Sequence, residues 1–80
     1  MIHARDDYNR IQDPAGLIPE DEPVFLMRAQ DELCEELTRE WARRNAEIGG
    51  DPALTARALA HADRMAKWPV KKKADLHRKL

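Results

Sequence analysis

Glu47-Ile48-Gly49-Gly50-Asp51-Pro52-Ala53 reads as the end of one helix followed at once by the start of another. Glycine readily enters the left-handed conformation that closes a helix C-terminus. Asp51 can cap the next helix, and Pro52 falls at its first position, where the missing N–H would have had no partner anyway. A connection of about two residues makes the two helices antiparallel neighbours.

Both sides of this turn carry helical patterning. Upstream, Asp31 is a candidate N-cap, and Glu32, Glu35 and Glu36 fill the first turns, where the helix dipole favours negative charge. At roughly 100° per residue, Leu33, Cys34, Leu37, Trp41 and Ile48 fall on one stripe, opposite Glu32, Glu35, Glu36, Arg39 and Arg43. Glu35–Arg39 and Glu40–Arg44 are i,i+4 pairs in the favourable order. Downstream, Ala53 to Lys67 is alanine-rich, with Leu54, Ala58, Ala62 and Met65 as its apolar stripe and Leu59 and Ala66 widening it. Pro69 biases Trp68 away from helical geometry and stops the helix near Lys67. The expectation is a mainly α fold: a hairpin of antiparallel helices over about 31–48 and 52–67. Trp41 and Leu54 are expected to meet near the loop end, with small alanines allowing close approach.

Residues 1–22 read as an irregular arm packed on that hairpin, and residues 69–80 as a basic tail, the whole forming a single small domain. In the arm, Asp13-Pro14-Ala15-Gly16 suits a type I turn, and Pro19 and Pro23 resist regular structure. Residues 24–29 open with Val24-Phe25-Leu26-Met27. That run fits a short strand or a helical turn, and periodicity does not separate the two.

The chain has 80 residues and a net charge of -1, a total that hides two poles. Residues 1–40 hold eleven acidic and four basic side chains, and residues 41–80 hold four acidic and ten basic ones. Such asymmetry points to a charged partner. A chain of this size buries only ~60% of its unfolded surface, so its stability is marginal without a staple. One cysteine, Cys34, excludes an internal disulfide framework and fits a reducing compartment, so the expected setting is cytoplasmic. No apolar run approaches the ~20 residues that span a bilayer, and no signal-like segment opens the chain, so no membrane contact is expected.

Catalytic chemistry finds no constellation to stand on. There is no serine for a Ser-His-Asp arrangement, no Cys/His cluster for a metal and no glycine-rich phosphate loop. His61 sits at the border of its helix's apolar stripe, and Cys34 lies on one, positions typical of packed side chains. The expectation is a protein that is not an enzyme, with no catalytic residue, no metal and no cofactor. Two charged features remain. Asp21, Glu22, Glu32, Glu35, Glu36 and Glu40 form an acidic lobe that could occupy a basic groove built for nucleic acid. Lys67, Lys71, Lys72, Lys73, Arg78 and Lys79 form a basic cluster that could instead contact phosphates directly. A sequence pI near 6.3 argues against a dedicated nucleic-acid binder.

The segment Asn9-Arg10-Ile11-Gln12-Asp13-Pro14-Ala15-Gly16-Leu17-Ile18-Pro19-Glu20-Asp21-Glu22-Pro23-Val24-Phe25-Leu26-Met27-Arg28-Ala29-Gln30-Asp31 resembles a segment of short proteins encoded by phages and prophages of proteobacteria. Asp51-Pro52-Ala53, His61-Ala62-Asp63-Arg64-Met65 and Trp68-Pro69-Val70-Lys71-Lys72 are similar to theirs as well. The resemblance implies an anti-defence factor working in the host cell cytoplasm, and brings no active-site residues with it. The first expectation is therefore an inhibitor of a host nucleic-acid-handling complex, with an anti-CRISPR protein acting on a type I effector as the leading guess. The alternatives are a nucleic-acid-binding accessory protein using the basic tail, and a homodimeric helical interaction module. Monomer and homodimer both stay open.

Overall fold

The computed structural model describes residues 1–11 and 13–76. The chain divides into two compact units: Met1–Leu26 together with residues 75–76, and Met27–Ala74.

In the second unit, helix α1 spans Cys34–Glu47 and helix α2 spans Pro52–Lys67, packed together as an antiparallel hairpin. The turn between them follows the glycines. Gly49 sits at φ +76°, its N–H reaches the Ala46 carbonyl, and Gly50 N–H reaches Asn45 O at 2.8 Å, the paired bonds of a Schellman ending. Asp51 then accepts a hydrogen bond from the Ala53 N–H at 2.8 Å, with Pro52 in the first turn. At the far end α2 stops at Trp68, whose N–H bonds to Met65 O and which precedes Pro69.

The start of α1 lies later than an Asp31 cap would place it. The Asp31 carboxylate accepts from the Leu33 N–H at 2.9 Å, but the helix begins at Cys34. The reason is a backbone pairing. Asp31 forms a parallel bridge with Lys72, in which Lys72 N–H donates to Gln30 O and Glu32 N–H donates to Lys72 O. That bridge holds residue 31 extended. The basic segment thus begins by closing the open end of the hairpin.

The seam between the helices is not the stripe of large residues. Buried there are Cys34, Thr38 and Ala42 from α1 and Ala62 and Met65 from α2. Three cross-helix contacts fix the register: Thr38 Oγ1 to Met65 Sδ at 3.5 Å, Arg39 to Asp63 at 2.9 Å, and Asn45 Nδ2 to Thr55 Oγ1 at 2.9 Å. Leu33, Leu37, Trp41 and Ile48 remain exposed, which corrects the stripe expected from hydrophobicity. Small side chains at Cys34, Thr38, Ala42 and Ala62 let the backbones approach closely, and that closeness is incompatible with leucine or tryptophan in the same row. Thr38 is tolerated in the seam because its hydroxyl donates to the Cys34 carbonyl at 2.7 Å. The register also separates Trp41 from Leu54: Trp41 stands level with about residue 61, while Leu54 stands beside the turn.

In the first unit, β1 (Ile2–His3) pairs in parallel with β2 (Pro23–Val24), Ile2 against Pro23 and His3 against Val24. Of residues 24–29, therefore, only Val24 belongs to a strand, and Phe25 beyond it is 70% exposed. A 3-10 turn at Asp6–Tyr8 buries Tyr8, whose ring takes the Arg5 guanidinium 4.4 Å above it and the buried His3 ring edge-on. Arg5 is held there by Asp7 at 2.6 Å. The expected turn at Asp13–Gly16 forms, with Gly16 N–H bonded to Asp13 O and Gly16 at φ +66°.

Candidate functional site

The carboxylates of the acidic lobe fall into two groups. Asp21 and Glu22 belong to the first unit, both exposed, beside the start of β2. Glu32, Glu35, Glu36 and Glu40 belong to the second. Within that second group the structure separates charges that are spent from charges that are not. Glu35 is bound by Arg39 at 3.0 Å, and Arg39 also grips Asp63 across the seam. Glu40 receives both Arg43 and Arg44, the latter at 2.9 Å, and Arg43 turns its other nitrogen to Glu47. Hydrogen bonds from Arg43 and then Arg44 hold the Glu40 carboxyl down at about 2, well below the ordinary carboxylate value. Glu32 and Glu36 are exposed, and their carboxylates have no hydrogen-bond or ion-pair partner among the described residues. They flank the start of α1, where the helix dipole suits negative charge.

The basic cluster is also divided. The Lys71 ammonium donates to Ala29 O and Met65 O, both at 2.7 Å, so it caps the C-terminal end of α2 and ties it to the segment before α1. Lys72 supplies the backbone bridge to Asp31. Lys67 and Lys73 are exposed. Arg78 and Lys79, with His77, lie outside the described residues. The bridge uses the backbone of Lys72 and leaves its charge out of account, but the Lys71 ammonium is committed to two carbonyls and is less available to a phosphate backbone than the sequence suggested.

Cys34 is 1% exposed, and burial, reinforced by the Asp31 carboxylate beside it, pushes its thiol above the ordinary value. That environment favours the neutral thiol over the nucleophilic thiolate. His61 is exposed on α2. Concavities of about 210 Å³, lined by residues including Asn9, Asp13 and Glu20, and about 320 Å³, lined by Ala46, Gly49, Gly50, Pro52 and Thr55, place no nucleophile beside a base. Among the described residues no cluster of His, Cys, Asp and Glu is arranged to hold a metal ion, and no helix is long and apolar enough to cross a membrane.

Sequence reasoning missed one surface. By the register above and the helical repeat, Leu37, Trp41 and Ile48 of α1 share a flank with Leu54 and His61 of α2, on the side away from the Arg39–Asp63 pair. Leu37 and Leu54 are each 49% exposed, Trp41 44% and Ile48 83%. The signal that could have found it was size: Cys34, Thr38 and Ala42 recur every fourth residue and match the spacing of Ala58 and Ala62. No protein-family profile, curated protein or solved structure matches this chain.

Proposed function

We propose that this chain is a small phage-type inhibitor that acts by binding and not by catalysis. Its target is a protein complex that handles nucleic acid, and a type I CRISPR effector is the first candidate. The supporting observation is the pair Glu32 and Glu36: exposed, close to one helix start, and without a partner among the described residues, while neighbouring carboxylates are consumed by arginines. Carboxylates in that state can accept hydrogen bonds from the lysines and arginines with which a nucleic-acid groove holds phosphate. Opposite charge would also speed encounter between the two. Glu35 and Glu40 contribute less in this reading, because a partner would first have to displace Arg39, or Arg43 and Arg44.

The test is charge reversal at both free positions, Glu32→Lys with Glu36→Lys, in a plasmid-interference assay with type I effectors. The expected result is restored interference, with association at least tenfold slower at low salt (an order-of-magnitude figure for lost steering). Inhibition equal to that of the unaltered chain would overturn the acidic mechanism. Circular dichroism of the variant checks that the hairpin still forms.

A further inference from the structure

We infer that the exposed flank of the hairpin is the contact surface for a second copy of this chain, forming a four-helix bundle. The flank carries the large apolar side chains Leu37, Trp41 and Ile48 on α1 and Leu54 on α2, with the exposed His61 beside them. An unpartnered apolar face rimmed by charge is a mark of association. The particular occupant follows from the rims and from the small core.

The two rims differ in sign. On α1 the residues turned furthest from the seam are Glu36, Glu40 and Glu47, with Arg43 and Arg44 bound to Glu40 and Glu47, so this rim is net acidic. On α2 the charged residues turned away from the seam are Arg57, Arg64 and Lys67, none of which has an ion-pair partner among the described residues. A two-fold axis along the bundle sets α1 of one copy beside α2 of the other, so each acidic rim meets a basic one. The competing two-fold arrangement, α2 against α2, sets Arg57 and Arg64 against their own copies and is disfavoured by like-charge repulsion. The surface is therefore self-complementary in one arrangement only.

The core supplies the second argument. The buried hydrophobic side chains of the described residues are Tyr8, Cys34, Ala42, Ala62 and Met65, and two of these are alanines. Chains near this size need a staple, and the available ones are disulfides, metals and oligomerisation. The described residues hold one free cysteine and no metal cluster, and association is a device that such a core can use. Leu37, Trp41, Ile48 and Leu54 are larger side chains than the cysteine, threonine and alanines of the seam, and a second copy would cover them on both chains. Glu36 stands on the acidic rim of this contact, whereas Glu32 precedes α1 and lies outside it.

Sedimentation across a concentration series tests this directly. The full chain should move from particles of 9.2 kDa to particles of twice that mass and no further. Ile48→Arg, at a position already exposed, should leave the helical signal unchanged and weaken the dimer by at least about thirtyfold. Arg57→Glu combined with Arg64→Glu should weaken it by about tenfold and reduce its sensitivity to salt. Particles of 9.2 kDa throughout, an open-ended series of larger species, or a dimer indifferent to Ile48→Arg would each overturn the inference. Ile48→Arg leaves Glu32 and Glu36 in place, so a variant that is monomeric yet still blocks interference separates failure here from failure of the inhibitor reading.

Discussion

The seam and the flank of the hairpin run side by side along the same two helices and obey opposite rules. The seam is lined by Cys34, Thr38, Ala42 and Ala62, small and in one case polar, with Met65 as its one large side chain, and is closed to solvent. The flank carries Leu37, Trp41, Ile48 and Leu54, large and apolar, and is open. Transfer energy alone, roughly 25 cal/mol per Å² of apolar surface, would bury the second set first. The structure buries the first because close helix approach rewards matched small side chains with dense van der Waals contact and cross-helix hydrogen bonds. In a hairpin of two helices, fit between faces outranks hydrophobicity of a face.

The sharpest way to break this contrast is to make a seam residue large. Ala62 is fully buried against α1, so Ala62→Leu should destabilise the hairpin by about 1–3 kcal/mol through overpacking, read as a lower urea midpoint at unchanged slope. The flank should behave in the opposite way. At concentrations low enough to keep the chain monomeric, Trp41→Gln removes a side chain that is 44% exposed and should shift stability by no more than about 0.5 kcal/mol, measured by the same titration. A loss as large as that of Ala62→Leu would show that the flank is core after all.

The smallest expected effect lies behind both surfaces, on the outer face of α1. Arg43 and Arg44 hold the Glu40 carboxyl at about 2, against an ordinary value of 4.5. A carboxylate whose folded value is depressed stabilises the fold above its unfolded value, and that contribution disappears as pH falls through the folded one. Stability should therefore decline from about pH 4.5 towards pH 2, and Glu40→Gln should flatten that part of the profile in thermal melts. Solvent screening at this exposed site keeps the effect slight. An unchanged profile would show that the arginine contacts on Glu40 do not persist in solution.

What the sequence made legible was local chemistry. Gly49, Pro52 and Pro69 each impose a backbone requirement, and with the Asp51 cap they set the end of α1 and both ends of α2; the start of α1 was not legible, because the Asp31–Lys72 bridge overrode an Asp31 cap. Asp13-Pro14-Ala15-Gly16 worked for the same reason. The seam was not legible because a ranking by hydrophobicity places Leu37 and Trp41 above Thr38 and Ala42, whereas packing ranked them by size. The β1–β2 pair was hidden because its partners are two residues long and some twenty apart in sequence, so neither carries a period-2 pattern. The acidic residues were visible, but their states were not. Glu36 and Glu40 look alike in sequence, and only the placement of Arg43 and Arg44 shows that Glu40 is occupied, while Glu36 has no partner among the described residues.

The hairpin is fastened at both ends. The Schellman turn and the Asp51 cap secure one, and the Asp31–Lys72 bridge with the Lys71 ammonium secures the other. An ordinary helical hairpin frays from its open end, so amide exchange there is fast and slows towards the loop. In this chain the amides of Glu32 and Lys72 are bonded across that open end. Exchange along α1 and α2 should therefore be slowest in the middle and nearly symmetric about it, the profile of a rod clamped at its two tips.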